Sequence, residues 1–156
     1  MPAPCIRLVE ITRENLTAVL NLAVSPAQQN FVASNARSLA QAHYHPEAWP
    51  RALATGDPAG DATGTSFVGF VMLDVQAGPD TIYLWRLMID AAHQRSGYGR
   101  GAMAAIVAHV RTLPGITRLL LSFVDAPGSP EPFYARLGFI RTGNCIDGEE
   151  EMLLTL

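Results

Sequence analysis

Lysine is absent. All 11 basic side chains among the 156 residues are arginines, and 14 acidic residues leave a net charge of −3. The arginines are scattered, so no cluster offers the basic face that a nucleic acid requires. Without lysine there is also no Gly-Lys-Ser/Thr step of a phosphate-binding P-loop. Cysteine is nearly as scarce: Cys5 and Cys145 stand far apart, in no metal-type spacing, which suits a reduced cytoplasm rather than a disulfide framework. Long apolar runs are missing too; Leu119-Leu120-Leu121 falls far short of a bilayer span. The N-terminus has no basic segment followed by an apolar one, so no secretory signal is expected. The expectation is a cytoplasmic chain with neither nucleic-acid nor membrane partners. What is present suffices for folding, since 49% apolar residues can build one domain over residues 1–156 with a substantial core.

Periodicity orders the elements. Residues 6–11 alternate as a strand, and Thr12 or Arg13 leads a helix to about Leu22, ahead of Pro26. Residues 28–42 read as a second helical stretch and 48–54 as a short strand, because Pro46 and Pro50 interrupt helix. Residues 55–65, rich in glycine and aspartate, read as a mobile hairpin loop. Strands follow at 67–75 and 81–89, separated by a turn at 76–80; the second is apolar on both faces. A helix begins after Gly97, with Met103, Ile106, Val107 and Val110 on one side, and stops before Pro114. Residues 116–123 form a buried strand, 126–130 a loop and 131–137 a short helix that Gly138 terminates. Residues 139–142 and 150–154 close the sheet as a hairpin. This is an α+β order with a mixed, mostly antiparallel central sheet flanked by helices.

The most informative segment lies between the strand ending at Ile89 and the following helix. Its polar connector closes on three alternating glycines, Gly97, Gly99 and Gly101. Glycines admit a ligand close to the backbone, the first helical turn offers unpaired N–H groups, and Arg95 and Arg100 add positive charge. Such a turn suits a phosphate or pyrophosphate. A dinucleotide fingerprint formally matches Gly97-x-Gly99-x-x-Ala102, but that motif follows its strand directly, and only 55 residues remain after Gly101.

Gln94-x-x-Gly97-x-Gly99 resembles the acetyl-CoA motif Q/R-x-x-G-x-G/A of the GCN5-related N-acetyltransferases (GNAT). Phe133-Tyr134-x-x-x-Gly138-Phe139 resembles a second element of the same family, at a similar interval. The resemblance covers residues 68–156 well. Residues 31–35 and 45–50 are similar to segments of bacterial polyamine-acetylating members. It implies acetyl-CoA as co-substrate, no metal, and a small-molecule amine as acceptor, with a homodimer as one assembly. Leu87, Met88 and Ile89 would meet the acetyl and pantetheine arm. Gln94, Arg95, Ser96, Gly97, Tyr98, Gly99, Arg100, Ser129 and Phe133 would contact the rest of CoA. Tyr134 would be the general acid.

Acetyl transfer to an amine poses three problems. At a pKa of about 10.4, only about one alkylamine in a thousand is neutral near pH 7, a cost of about 4–5 kcal/mol. An oxyanion needs donors, worth about 3–4 kcal/mol each. The departing thiolate needs a proton, which a phenol can supply at neutral pH. Only the base lacks an obvious residue. Some polyamine acetyltransferases carry a glutamate on the central strand, nine residues before the Gln94 position; here Trp85 stands there, which cannot accept a proton. Glu47, Glu131 and the Glu149-Glu150-Glu151 run are the candidates, alongside a water relay. Glu47 and Trp85 are the expected acceptor contacts. Arg86 fits either a buried ion pair or an acceptor-site group. His43-x-His45 lacks a third metal ligand. Residues 147–151 read as a solvated, acidic hairpin. Acetylation of an amino-antibiotic or a protein amine, a non-catalytic acyl-CoA-binding module and a dinucleotide-binding fragment stand as alternatives.

Overall fold

The computed structural model describes residues 2–56 and 65–156. The elements run β1 (Arg7–Val9), α1 (Leu16–Asn21), α2 (Asn35–Tyr44), β2 (Ala48–Thr55), β3 (Ser66–Gly78), β4 (Thr81–Ile89), α3 (Tyr98–Arg111), β5 (Arg118–Phe123), α4 (Glu131–Arg136), β6 (Ile140–Ile146) and β7 (Glu149–Thr155). The strands form one sheet in the order β1-β2-β3-β4-β5-β7-β6. Every pairing is antiparallel except β4 with β5. Alternation sorts the core onto both faces. Val71, Leu73, Ile82, Leu84, Leu119 and Leu121 pack with Met103, Ile106 and Val110 of α3. Phe70, Met72 and Met88 pack on the other face with Val19 of α1 and Leu39 of α2. Each large apolar side chain so buried contributes about 1.5–3 kcal/mol.

Several expected elements shift for local reasons. Asn15 accepts from the Thr12 amide and donates to the Glu10 carbonyl, making a turn that delays α1 to Leu16. The helical stretch expected over 28–42 divides. A 3₁₀ turn covers Pro26–Gln28, and α2 starts only after Ser34, whose hydroxyl accepts from the Arg37 amide as an N-cap. The closing hairpin is longer than expected and turns at Asp147 and Gly148, both at positive φ, 51° and 82°. That geometry suits a two-residue turn. Of the loop expected over 55–65, residues 57–64 lie outside the described residues.

One irregularity positions the site. Between Met72 and Leu73 the β3–β4 register slips, leaving an extra residue, Trp85, on β4. A bulge bends its strand and increases the local twist. Beyond it β4 stays with β3 as far as Ile89, whereas its pairing with β5 ends at Leu84↔Leu121. The two parallel strands therefore part, and a cleft opens between them.

Candidate active site

Asp90, which ends β4, fixes the connector. Its carboxylate accepts from the amides of Ala23 and Ala92 and lies 3.3 Å from His93 Nδ1. Burial pushes its pKa up, but those donors and the imidazole outweigh burial and hold it below the ordinary carboxylate value. A carboxyl lowered by folding stabilises above its unfolded pKa of about 3.9 and loses that contribution as pH falls. Asp90→Ala is therefore expected to lower the melting temperature at pH 7 by roughly 2–6 °C. In parallel melts of both proteins, the gap should narrow below about pH 4. An equal melting temperature at pH 7 would remove Asp90 from this role.

Gln94 Nε2 donates to the Ile89 carbonyl at 2.9 Å and to Gln28 Oε1 at 2.7 Å, tying the connector to the strand end. Arg95 and Gly97 take left-handed φ values of 63° and 81°. Gly97 caps α3 without a side-chain bond, so no capping side chain takes the first-turn amides. A Cβ on Gly99 would lie 3.4 Å from the Phe133 ring, whereas one on Gly101 would collide with the Pro4 carbonyl. The third glycine thus serves packing against the N-terminal segment.

A cleft of about 1090 Å³ runs from this turn along the separated strands. It is lined by Leu87, Met88, Ile89, Gln94, Arg95, Gly97, Gly99, Arg100, Ser129, Phe133, Tyr134 and Trp85. Ser96 and Tyr98 do not line it; Tyr98 packs on the core and against the His93 ring. The edge of β4 from Trp85 to Ile89 that faces β5 has no strand partner, so its backbone groups face the cleft. Tyr134 is 9% exposed, with the rings of Phe133 and Phe139 at 5.1 and 5.6 Å. Burial, and secondarily Tyr83, raise its pKa far above that of a free phenol, so it stays protonated.

The candidate bases separate. Glu47 pairs with His45 Nδ1 at 3.0 Å outside the cleft lining. Glu131 is held by Arg141. Glu150 lies 3.9 Å from the same arginine. Glu151 is buried rather than solvated and accepts from Thr142 and Asn144. Only Glu149 of the set lines the cleft, where Asp147 joins it. Its Oε2 accepts from Ser122 Oγ at 2.5 Å, and Ser122 in turn bonds the Tyr83 hydroxyl. Tyr83 and Ser122 do not stand out in the sequence because each alternates with core residues inside an apolar strand. Arg86 makes no ion pair within 4 Å among the described residues; it donates to the Trp85 carbonyl and Gln41, and its buried Nε has no partner. Burial lowers its pKa, opposed by the charge of Glu149. No group of three metal-type ligands occurs among the described residues.

Residues 35–139 match the model of the acetyltransferase (GNAT) family. A spermine/spermidine N(1)-acetyltransferase of Bacillus subtilis (strain 168) is 28% identical over 156 residues, covering 97% of this chain and 99% of that protein. Among solved structures, an acetyltransferase from Thermus thermophilus superposes with a TM-score of 0.71 at 20% identity, over 100% of both chains. A spermidine N-acetyltransferase from Vibrio cholerae, in complex with CoA and spermine, gives 0.70 at 16% identity over 96% and 95%.

Proposed function

Since the chain belongs to the acetyltransferase (GNAT) family, we propose that it transfers the acetyl group of acetyl-CoA to a primary amine of a small molecule, with a polyamine as acceptor. One observation carries this reading: the strand split, the open amides of α3 and the buried hydroxyl of Tyr134 share a single cleft. The residues present suit CoA. Backbone amides from Arg95 to Arg100 would take the pyrophosphate, the free edge of β4 the pantetheine amides, and Phe133 and Ser129 the adjoining wall. Acetyl-CoA supplies an acetyl group activated as a thioester. Tyr134, kept protonated by burial, faces the cleft as proton donor for the departing sulfur. Free thiols at Cys5 and Cys145 agree with a reducing, cytoplasmic setting.

The polyamine assignment draws on the relatives and on Asp147 and Glu149 in the cleft. Arg37 and Arg86 line the same cleft and disfavour a second ammonium beside them, which keeps the distal charges of a polyamine near Asp147. Asp147→Asn suits a test, because asparagine tolerates the positive φ of 51° and only the charge is lost. At low salt KM for spermidine is expected to rise about 2–5-fold with kcat unchanged, and the effect to fade near 0.15 M salt, where screening acts over about 8 Å. The wider reading is tested by thiol release from acetyl-CoA over a panel of polyamines, amino-antibiotics, peptide amines and monoamines, with CoA and NAD binding compared by calorimetry. Failure of spermidine and spermine beside rapid turnover of another amine removes the polyamine. Affinity for NAD rather than CoA removes the whole reading.

A further inference from the structure

The ammonium form of an alkylamine cannot attack a thioester, and at pH 7 only about one molecule in a thousand is neutral. The site must take a proton before it transfers an acetyl group. The central strand offers no carboxylate for this, because Trp85 and Arg86 occupy the stretch of β4 that faces the cleft.

Among the described residues, the cleft holds a single hydrogen-bonded chain that ends in a carboxylate. A glutamate can only accept, so Ser122, bonded to Glu149 Oε2 at 2.5 Å, commits its proton to that carboxylate. Ser122 Oγ must then accept from the Tyr83 hydroxyl. This direction leaves the Tyr83 oxygen its lone pairs, on a side chain that lines the cleft close enough to Tyr134 to influence its titration. The three groups come from β4, β5 and β7, and Ser122 sits in register with Glu151, two residues along β7 from Glu149. The sheet thus aligns the chain across three strands without any local sequence motif.

Resting on the acetyltransferase reading, we propose that Tyr83, Ser122 and Glu149 form a proton relay in which Glu149 is the base that neutralises the acceptor amine. The amine gives one N–H proton to the Tyr83 oxygen as the Tyr83 proton passes to Ser122 and the Ser122 proton to Glu149. Glu149, half-buried in an open cleft, then returns that proton to water. The neutral amine forms the C–N bond to the acetyl carbon as the C–S bond breaks, and the sulfur takes the proton of Tyr134. The acylated nitrogen gives its surplus N–H proton back to the Tyr134 oxygen, leaving a neutral amide and restoring the phenol. The hydroxyls suit this duty because burial raises the Tyr83 pKa, so it relays as a phenol rather than persisting as a phenolate. Among the described residues, the charged and titratable groups coupled to the relay are Arg86 of β4 and Glu151 of β7, with Asp147 of the turn and Arg37 of α2 sharing the cleft lining.

Ser122→Ala breaks the chain while leaving every charge in place. With the best basic amine from the panel, kcat at pH 7 is expected to fall about 10²-fold for Ser122→Ala and Glu149→Gln, with KM for Ser122→Ala changed less than about twofold. The deficit should shrink as pH approaches the pKa of the amine itself, and it should vanish for trifluoroethylamine, which is already neutral at pH 7. Ser122→Thr, which keeps a hydroxyl, should recover most of the rate. In the free protein, a hydroxyl proton resonance shielded from exchange should be present in the wild type and lost in Ser122→Ala. Melting curves and CoA affinity check that each variant is folded. A wild-type kcat in folded Ser122→Ala with a basic amine, or an equal loss with trifluoroethylamine, overturns the relay and leaves the acetyltransferase reading intact. A wild-type protein that acetylates no amine overturns both.

Discussion

Replacing Tyr134 by phenylalanine is expected to lower turnover by about 10²–10⁴-fold with the fold and CoA affinity retained. The hydroxyl is the only group removed, and the ring keeps its contacts with Phe133 and Phe139. Among the described residues the hydroxyl has no hydrogen-bond partner, and its side chain lines the cleft, so its loss should cost the fold little. On the proposed mechanism its value would lie in a proton retained at neutral pH and delivered where the thiolate departs. Steady-state kinetics with one amine, alongside CoA calorimetry and a thermal melt, checks this. Equal turnover of both proteins would strike Tyr134 from the mechanism. A large fall in melting temperature would instead assign it to packing.

The second large effect is expected at Gly99. Valine there should weaken CoA binding by roughly two orders of magnitude, about 2.7 kcal/mol. A Cβ at this position reaches the Phe133 ring at 3.4 Å, an ordinary contact, but the two further methyls of valine must fill the space over the open amides of α3. Valine has a better helix propensity than the glycine it replaces, so the domain should still fold. Gly99→Ala, with the Cβ alone, should bind CoA far better than Gly99→Val, and that contrast separates crowding of the ligand from a general defect of the helix. Unchanged CoA affinity in folded Gly99→Val would place the cradle elsewhere.

What can be read in advance divides along a physical line. The connector, the α3 face of Met103, Ile106 and Val110, and the Tyr134 element announce themselves through short-range signals: glycines, helical spacing and contiguous motifs. The start of α2 is expected too early although its signal is present, because the apolar pattern from Gln28 outweighs Ser34 as a cap. The strand split leaves no trace, since pairing of backbone groups is indifferent to side chains and the bulge at Trp85 belongs to the register between two strands. Tyr83, Ser122 and Glu149 lie 39 and 27 residues apart along the chain and meet only through the pairing of β4, β5 and β7. The run of three glutamates shows the same limit: one strand sends Glu149 and Glu151 to one face and Glu150 to the other, so neighbours in sequence serve different surroundings.

The parting of β4 from β5 reaches beyond catalysis. A sheet with an interior edge carries backbone groups that folding has not satisfied from within, the liability proteins usually confine to their rims. A co-substrate whose amide-bearing arm lies along that edge behaves thermodynamically as one more strand. The stability of the folded chain would then be tied to its occupancy: a hundredfold excess over Kd would add about 2.7 kcal/mol to the unfolding free energy. Scarcity of the acyl donor would thus do more than slow the reaction; it would shift the population toward chains that open, degrade or aggregate, linking the abundance of the enzyme to the metabolite it consumes.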